Sequence, residues 1–273
     1  MNWVQEENFS FLGQITKHCS QRSALTFNKP YEFKGVTFYP IPLGRIVEFY
    51  DCLEVLTIKQ ERTKDKTLMK LPYLWFLVYA SENSGKYGKL EYGMFVPLLY
   101  ALLELVTKST DIDVKVIRKE DGRYKKCSLY INEIEFSAND FTEIRQLIFR
   151  QNGIEHDDSF VNEDAERAVI EGKLFDMKKS GFIPPTLDDL INKFCIYMKK
   201  SKREVQEHFS IRDFNLFLTE ISTFEDYKIL QSGAMSGMVT FEKPIPHWFS
   251  GHKPKNMFEG ENQDIKNSAL MKI

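Results

Sequence analysis

Glu155, His156, Asp157 and Asp158 follow one another in the chain, and these are the residue types that hold divalent metals or move protons. They close the stretch FTEIRQLIFRQNGIEHDD (141–158), which also carries Arg145 and Arg150, two side chains suited to an anion. Read as chemistry, this is a metal-assisted hydrolase site with an arginine on the substrate. A metal site needs ligands that converge, however, and consecutive residues on one loop seldom converge without distant partners. The flanking residues favour such a loop. Ser137 with Asp140 marks a helix start, Phe141, Ile144, Leu147 and Ile148 recur at helical spacing, and Asn152-Gly153 is a left-handed stop. Residues 155–158 therefore read as a solvated or partner-facing loop. As a partner-binding patch it comprises Arg145, Arg150, Asn152, Asp157 and Asp158, with the aromatic Trp248 as a separate anchor.

The remaining chemical candidates are weaker. His247 and His252 flank Trp248 and Phe249 without cysteine or acidic partners at zinc spacing, so an aromatic anchor is expected there, not a ligand pair. In FEKPIPHWF (241–249), Pro244 and Pro246 impose an extended path. That path presents Ile245, Trp248 and Phe249 either as a latch over the core or as a partner anchor. The G-x-x-x-G of SGAMSGM (232–238) reads as a helix end, and the basic run KKSKR (199–203) as a solvated helix junction. The sequence contains no phosphate loop, G-x-S-x-G or H-E-x-x-H, so no catalytic, cofactor or metal residue is assigned.

Charge and cysteine usage narrow the class. The 273 residues carry 37 basic and 39 acidic side chains, a net charge of −2, which argues against a nucleic-acid binder. Cys19, Cys52, Cys127 and Cys195 are scattered and suit free thiols in a reducing compartment. The longest apolar runs, 71–80 and 94–103, are half of a ~20-residue membrane span, and the acidic N-terminus is unlike a signal peptide. A cytoplasmic, soluble protein without membrane contact is expected.

The elements that position these residues form an α+β fold, predominantly helical, with a small antiparallel β-hairpin or sheet near 113–136. GVTFYPI (35–41) reads as an extended segment. A helix over 43–58 presents Ile46, Phe49, Tyr50, Leu53 and Leu56 on one face. Helices over 68–82 and 92–108 are apolar nearly all round and should occupy the centre of the fold. Alternation on both sides of Asp121-Gly122 predicts a hairpin, and Asn132-Glu133 a second turn. Ser137/Asp140, Thr186/Asp189, Ser201/Glu204 and Ser210/Asp213 each predict a capped helix start. Residues 1–35 read as an N-terminal extension, 36–249 as the globular body with a soft division near 110–137, and 250–273 as a polar tail.

Several stretches carry a family resemblance: FYPIPLGRIVEFYDCLEVLTI (38–58), INEIEFSANDFTEIRQLIFRQNGIEHDD (131–158), PTLDDLINKF (185–194) and FSIRDFNLFLTEISTFEDYKILQSGAMSGMVTFEKPIPHWF (209–249). In order along the chain, they resemble bacteriophage tail-morphogenesis proteins of phages infecting Gram-positive bacteria. That family is described as tail assembly chaperones or as relatives of the baseplate hub assembly protein of T-even phages. The resemblance implies a non-enzymatic factor in the host cytoplasm that binds tape-measure or baseplate proteins, with a homo-oligomer also open. A tail or baseplate subunit retained in the virion is the alternative. Many tail chaperones are shorter and are extended by frameshifting, whereas this chain reads as complete; residues 1–35 carry no part of the resemblance.

Overall fold

A computed structural model describes residues 20–63, 65–87, 90–120, 123–156, 163–179, 183–237, 245 and 247. The chain divides into two units. One holds Met1–Ile154 and Met198–Asn215, the other Glu155–Tyr197 and Leu216–Ile273. The division expected near 110–137 is not where the units part, because the hairpin there shares a core with the preceding helices.

The first unit opens with a helical run at 20–26 (α1) and a hairpin of β1 (Tyr31–Phe33) and β2 (Val36–Phe38). Lys34 at φ 52° and Gly35 at φ 85° make the two-residue turn, which needs positive φ at both positions. Tyr31 and Phe33 are buried, so the body of the fold begins inside the segment expected as an extension. Phe38 leads to a 3-10 turn, Leu43–Arg45, and helix α2 (Ile46–Thr57). α2 buries Ile46, Phe49, Cys52, Leu53, Val55 and Leu56, while Tyr50, expected on that face, is 38% exposed.

The helix expected over 68–82 is interrupted. Leu68–Lys70 is a 3-10 turn, Pro72 holds ψ 147°, and helix α3 runs only Tyr73–Glu82. Proline fixes its own φ and pushes the residue before it out of the helical region, so the turn and the helix cannot fuse. After the single turn α4 (Ser84–Tyr87) comes α5 (Phe95–Thr107), ended by Lys108 in the left-handed region at φ 60°. Pro97 lies in its first turn, where no intrahelical N–H is needed.

Strands β3 (Ile112–Arg118), β4 (Tyr124–Ile131) and β5 (Ile134–Phe136) form an antiparallel sheet in that order. Asn132 and Glu133 both take positive φ and make the β4–β5 turn, whereas Asp121 and Gly122 lie outside the described residues. Helix α6 (Ala138–Gln151) then returns to pack on α3. Phe76, Leu77, Leu99, Leu102, Leu129, Phe141 and Ile144, from α3, α5, β4 and α6, are 0% exposed and form the centre of this unit. Each such side chain contributes about 1.5–3 kcal/mol on burial. Helix α9 (Lys202–His208) and the first turn of α10 (Ile211–Met235) belong to the same unit. The Ile211 N–H donates to the Ile41 carbonyl at 2.9 Å, and the Leu43 N–H to that of Phe209 at 2.7 Å.

The second unit is helical as described: α7 (Glu163–Lys179), α8 (Leu187–Met198) up to Tyr197, and α10 from Leu216 onward. All four expected helix starts are present. Ser137, Thr186, Ser201 and Ser210 each accept a backbone N–H three residues on, and the acid there reaches back to the cap N–H. No helix among the described residues is long and apolar enough to cross a membrane.

Candidate functional site

Within 141–156 the structure separates the residues that spacing had grouped. Arg145 is 6% exposed, and its Nε donates to the Leu56 carbonyl at 2.7 Å. Its guanidinium lies over the Tyr73 ring at 4.2 Å and near that of Phe149 at 5.3 Å, so it serves the interior of the first unit. The signal was readable: Arg145 stands four residues after Phe141 and three before Ile148, on the apolar stripe of its own helix. Arg150, by contrast, is exposed, and its backbone carbonyl accepts the Arg212 guanidinium.

Asn152 is fully buried and acts as a structural clamp. Its Oδ1 accepts the Ile41 N–H at 3.0 Å, its Nδ2 donates to the Ile148 carbonyl at 2.9 Å, and its own carbonyl accepts Asn215 Nδ2 at 3.3 Å. Its neighbour Gln151 donates to the Phe38 carbonyl at 2.9 Å. Gly153 stands at φ 65°, and a Cβ there would crowd Arg212 Cα at 3.3 Å. The end of α6 is thus the junction that ties the β2–α2 connection and the start of α10 together. Glu155 and His156 follow at the beginning of the second unit. Asp157, Asp158 and Trp248 lie outside the described residues. Next in sequence to Trp248, His247 packs its ring on Tyr227 of α10 at 5.3 Å.

Among the described residues no three His, Cys, Asp or Glu side chains converge as metal ligands. Cys52, Cys127 and Cys195 are free thiols, and burial pushes that of Cys127 up to about 12. Such a thiol is inert at neutral pH, because the thiolate is the nucleophile.

A different feature sets the second unit apart. Val169, Ile191 and Phe194 are its only fully buried apolar residues among those described, and Phe194 stacks on Phe217 at 6.2 Å. Around this small core the large apolar side chains face outward. Leu174 and Phe175 of α7 are 49% and 65% exposed, Ile183 85%, Ile196 of α8 74%, and Ile229 and Met235 of α10 67% and 85%. Single exposed apolar residues are ordinary; here every helix of one unit carries at least one that is more than half exposed. Polar contacts hold its frame: Tyr197 donates to the Glu225 carboxylate, which also pairs with Lys228 at 2.6 Å. The sequence marks the capped start of α8 at Thr186 but not these outward positions.

Comparison of the chain with protein-family models, curated proteins and solved structures found no match.

Proposed function

We propose that this protein is a binding factor that holds another polypeptide on the apolar helices of its second unit. Its class is the phage tail-assembly factor that its sequence resembles. The observation that carries the reading is the outward apolar surface of α7, α8 and α10, where Phe175, Ile196, Ile229 and Met235 are all more than half exposed, with Ile183 before α8 exposed as well. An assembly chaperone needs such a surface, because its client buries apolar segments only once the polymer forms. The client on this reading is a tape-measure or baseplate protein in the host cytoplasm.

Co-expression with phage tape-measure proteins tests this directly. A soluble complex is expected, and Phe175→Asp with Ile196→Asp should abolish it while leaving the helical signal and melting temperature intact. Persistent failure of the wild-type chain to form a complex with any tail protein of its own phage would refute the proposal. Mass spectrometry of purified particles separates the two readings of the resemblance, since a chaperone is absent from the virion and a structural subunit is retained.

A further inference from the structure

Strand β3 forms one edge of the three-stranded sheet. Its outer side can be assigned from one contact: the Val114 N–H donates to the Tyr100 hydroxyl of α5 at 3.0 Å and so points away from β4. Residues alternate along an antiparallel strand between groups turned to the partner and groups turned away. The N–H and C=O of Val116 therefore point outward as well, two residues along from the position that Tyr100 covers. Beyond Val116 the register shifts between Ile117 and Arg118, and Lys125 is the extra residue on β4. Such a bulge ends the flat edge and turns the hairpin's free end.

Charge is concentrated at that end. Residues 118–126 hold five basic and two acidic side chains, against a net charge of −2 for the whole chain. Arg118, Lys119, Glu120 and Lys125 line an open cleft there. Arg118 pairs with the Glu82 carboxylate at 2.6 Å, and Tyr124 also donates to that carboxylate. One carboxylate of the chain itself is thus already seated between a guanidinium and a phenol. Lys119 and Lys125 have no carboxylate partner among the described residues, and Ile117 beside them is 52% exposed.

We infer that the outer edge of β3 around Val116 accepts a short extended acidic peptide segment as an added strand. The backbone of Val116 supplies the pairing groups, Ile117 the apolar contact, and Lys119 and Lys125 the charge that selects carboxylates. An extended polypeptide fits this edge better than a nucleic acid, because only a peptide backbone can return both the N–H and the C=O. The site lies in the first unit and does not depend on the apolar surface of the second.

The probe is a fluorescent peptide alternating valine and glutamate, titrated against the full chain, with a valine–lysine peptide and a single-stranded oligonucleotide as controls. The acidic peptide should bind and slow amide exchange across 112–118, while the lysine peptide should not bind. Lys119→Glu with Lys125→Glu should weaken binding about tenfold or more, and raised salt should act in the same direction. Val116→Pro removes the outward donor at an edge position where proline is tolerated, and should also weaken binding with every charge retained. Equal binding of the acidic and lysine peptides, preference for the oligonucleotide, unchanged exchange at 112–118, or self-association through this edge would each overturn the inference.

Discussion

Replacing Asn152 by alanine separates a structural from a partner-facing role for the end of α6. The side chain is fully buried and makes two hydrogen bonds, one to Ile41 far away in sequence and one to Ile148 in its own helix, while its backbone carbonyl accepts Asn215. Asn152→Ala strands the Ile41 N–H, which loses its acceptor at 3.0 Å in a residue only 1% exposed. A buried donor left without a partner costs about 1–3 kcal/mol. Losing the Nδ2 bond to the Ile148 carbonyl adds about 0.5–1.5 kcal/mol, so the total is roughly 1.5–4.5 kcal/mol. In a unit of this size that lowers the melting temperature by roughly 5–15 °C. Thermal and urea unfolding followed by circular dichroism reads it. Asn152→Asp sharpens the test, because it keeps the acceptor for Ile41 and places a carboxylate beside the Ile148 carbonyl. Burial raises that carboxyl's pKa above its unfolded value of about 3.9, so the folded state binds the extra proton. The aspartate variant should then gain stability relative to wild type as pH falls through the raised value. An Asn152→Ala protein that melts like wild type, with partner binding lost, would refute the clamp and restore Asn152 to an interface.

Two further substitutions bear on the same local rules. Gly153→Ala should destabilise by about 2 kcal/mol or more in urea titrations, because alanine at φ 65° is strained and its Cβ meets Arg212 Cα at 3.3 Å; a neutral result would mean the turn can relax. Glu204 closes the capping box of α9, and the Ser201 backbone N–H, then the Ser201 hydroxyl and Lys200, lower its pKa to about 2. A depressed carboxyl stabilises the fold above its unfolded pKa, and that contribution is lost as pH falls toward 2. NMR titration should find this value in wild type and a clear rise in Ser201→Ala; an unmoved Glu204 would show that the cap does not hold it.

What the sequence determined by itself is the part governed by contacts three or four residues apart. The four capping boxes, the Asn132-Glu133 turn and the left-handed Gly153 depend on side chains meeting their own neighbouring backbone, so residue type at fixed spacing suffices. The small antiparallel sheet and the apolar centre at α3 and α5 were legible for the same reason, from period and composition. Pro72 also spoke locally, and the break before α3 follows from it. Tertiary structure alone decided the rest. β1 is only three residues long, so its aromatic Tyr31 and Phe33 do not by themselves mark a strand, and pairing with Phe38 and Val36 fixes it. Asn152 looked like part of a binding loop until the fold brought Ile41, 111 positions away, to its Oδ1. The two-unit division likewise returns residues 198–215 to the first unit, beside partners such as Ile41 and Leu43. Such long-range closure depends on which buried polar groups find partners across the chain, and linear spacing does not encode that choice.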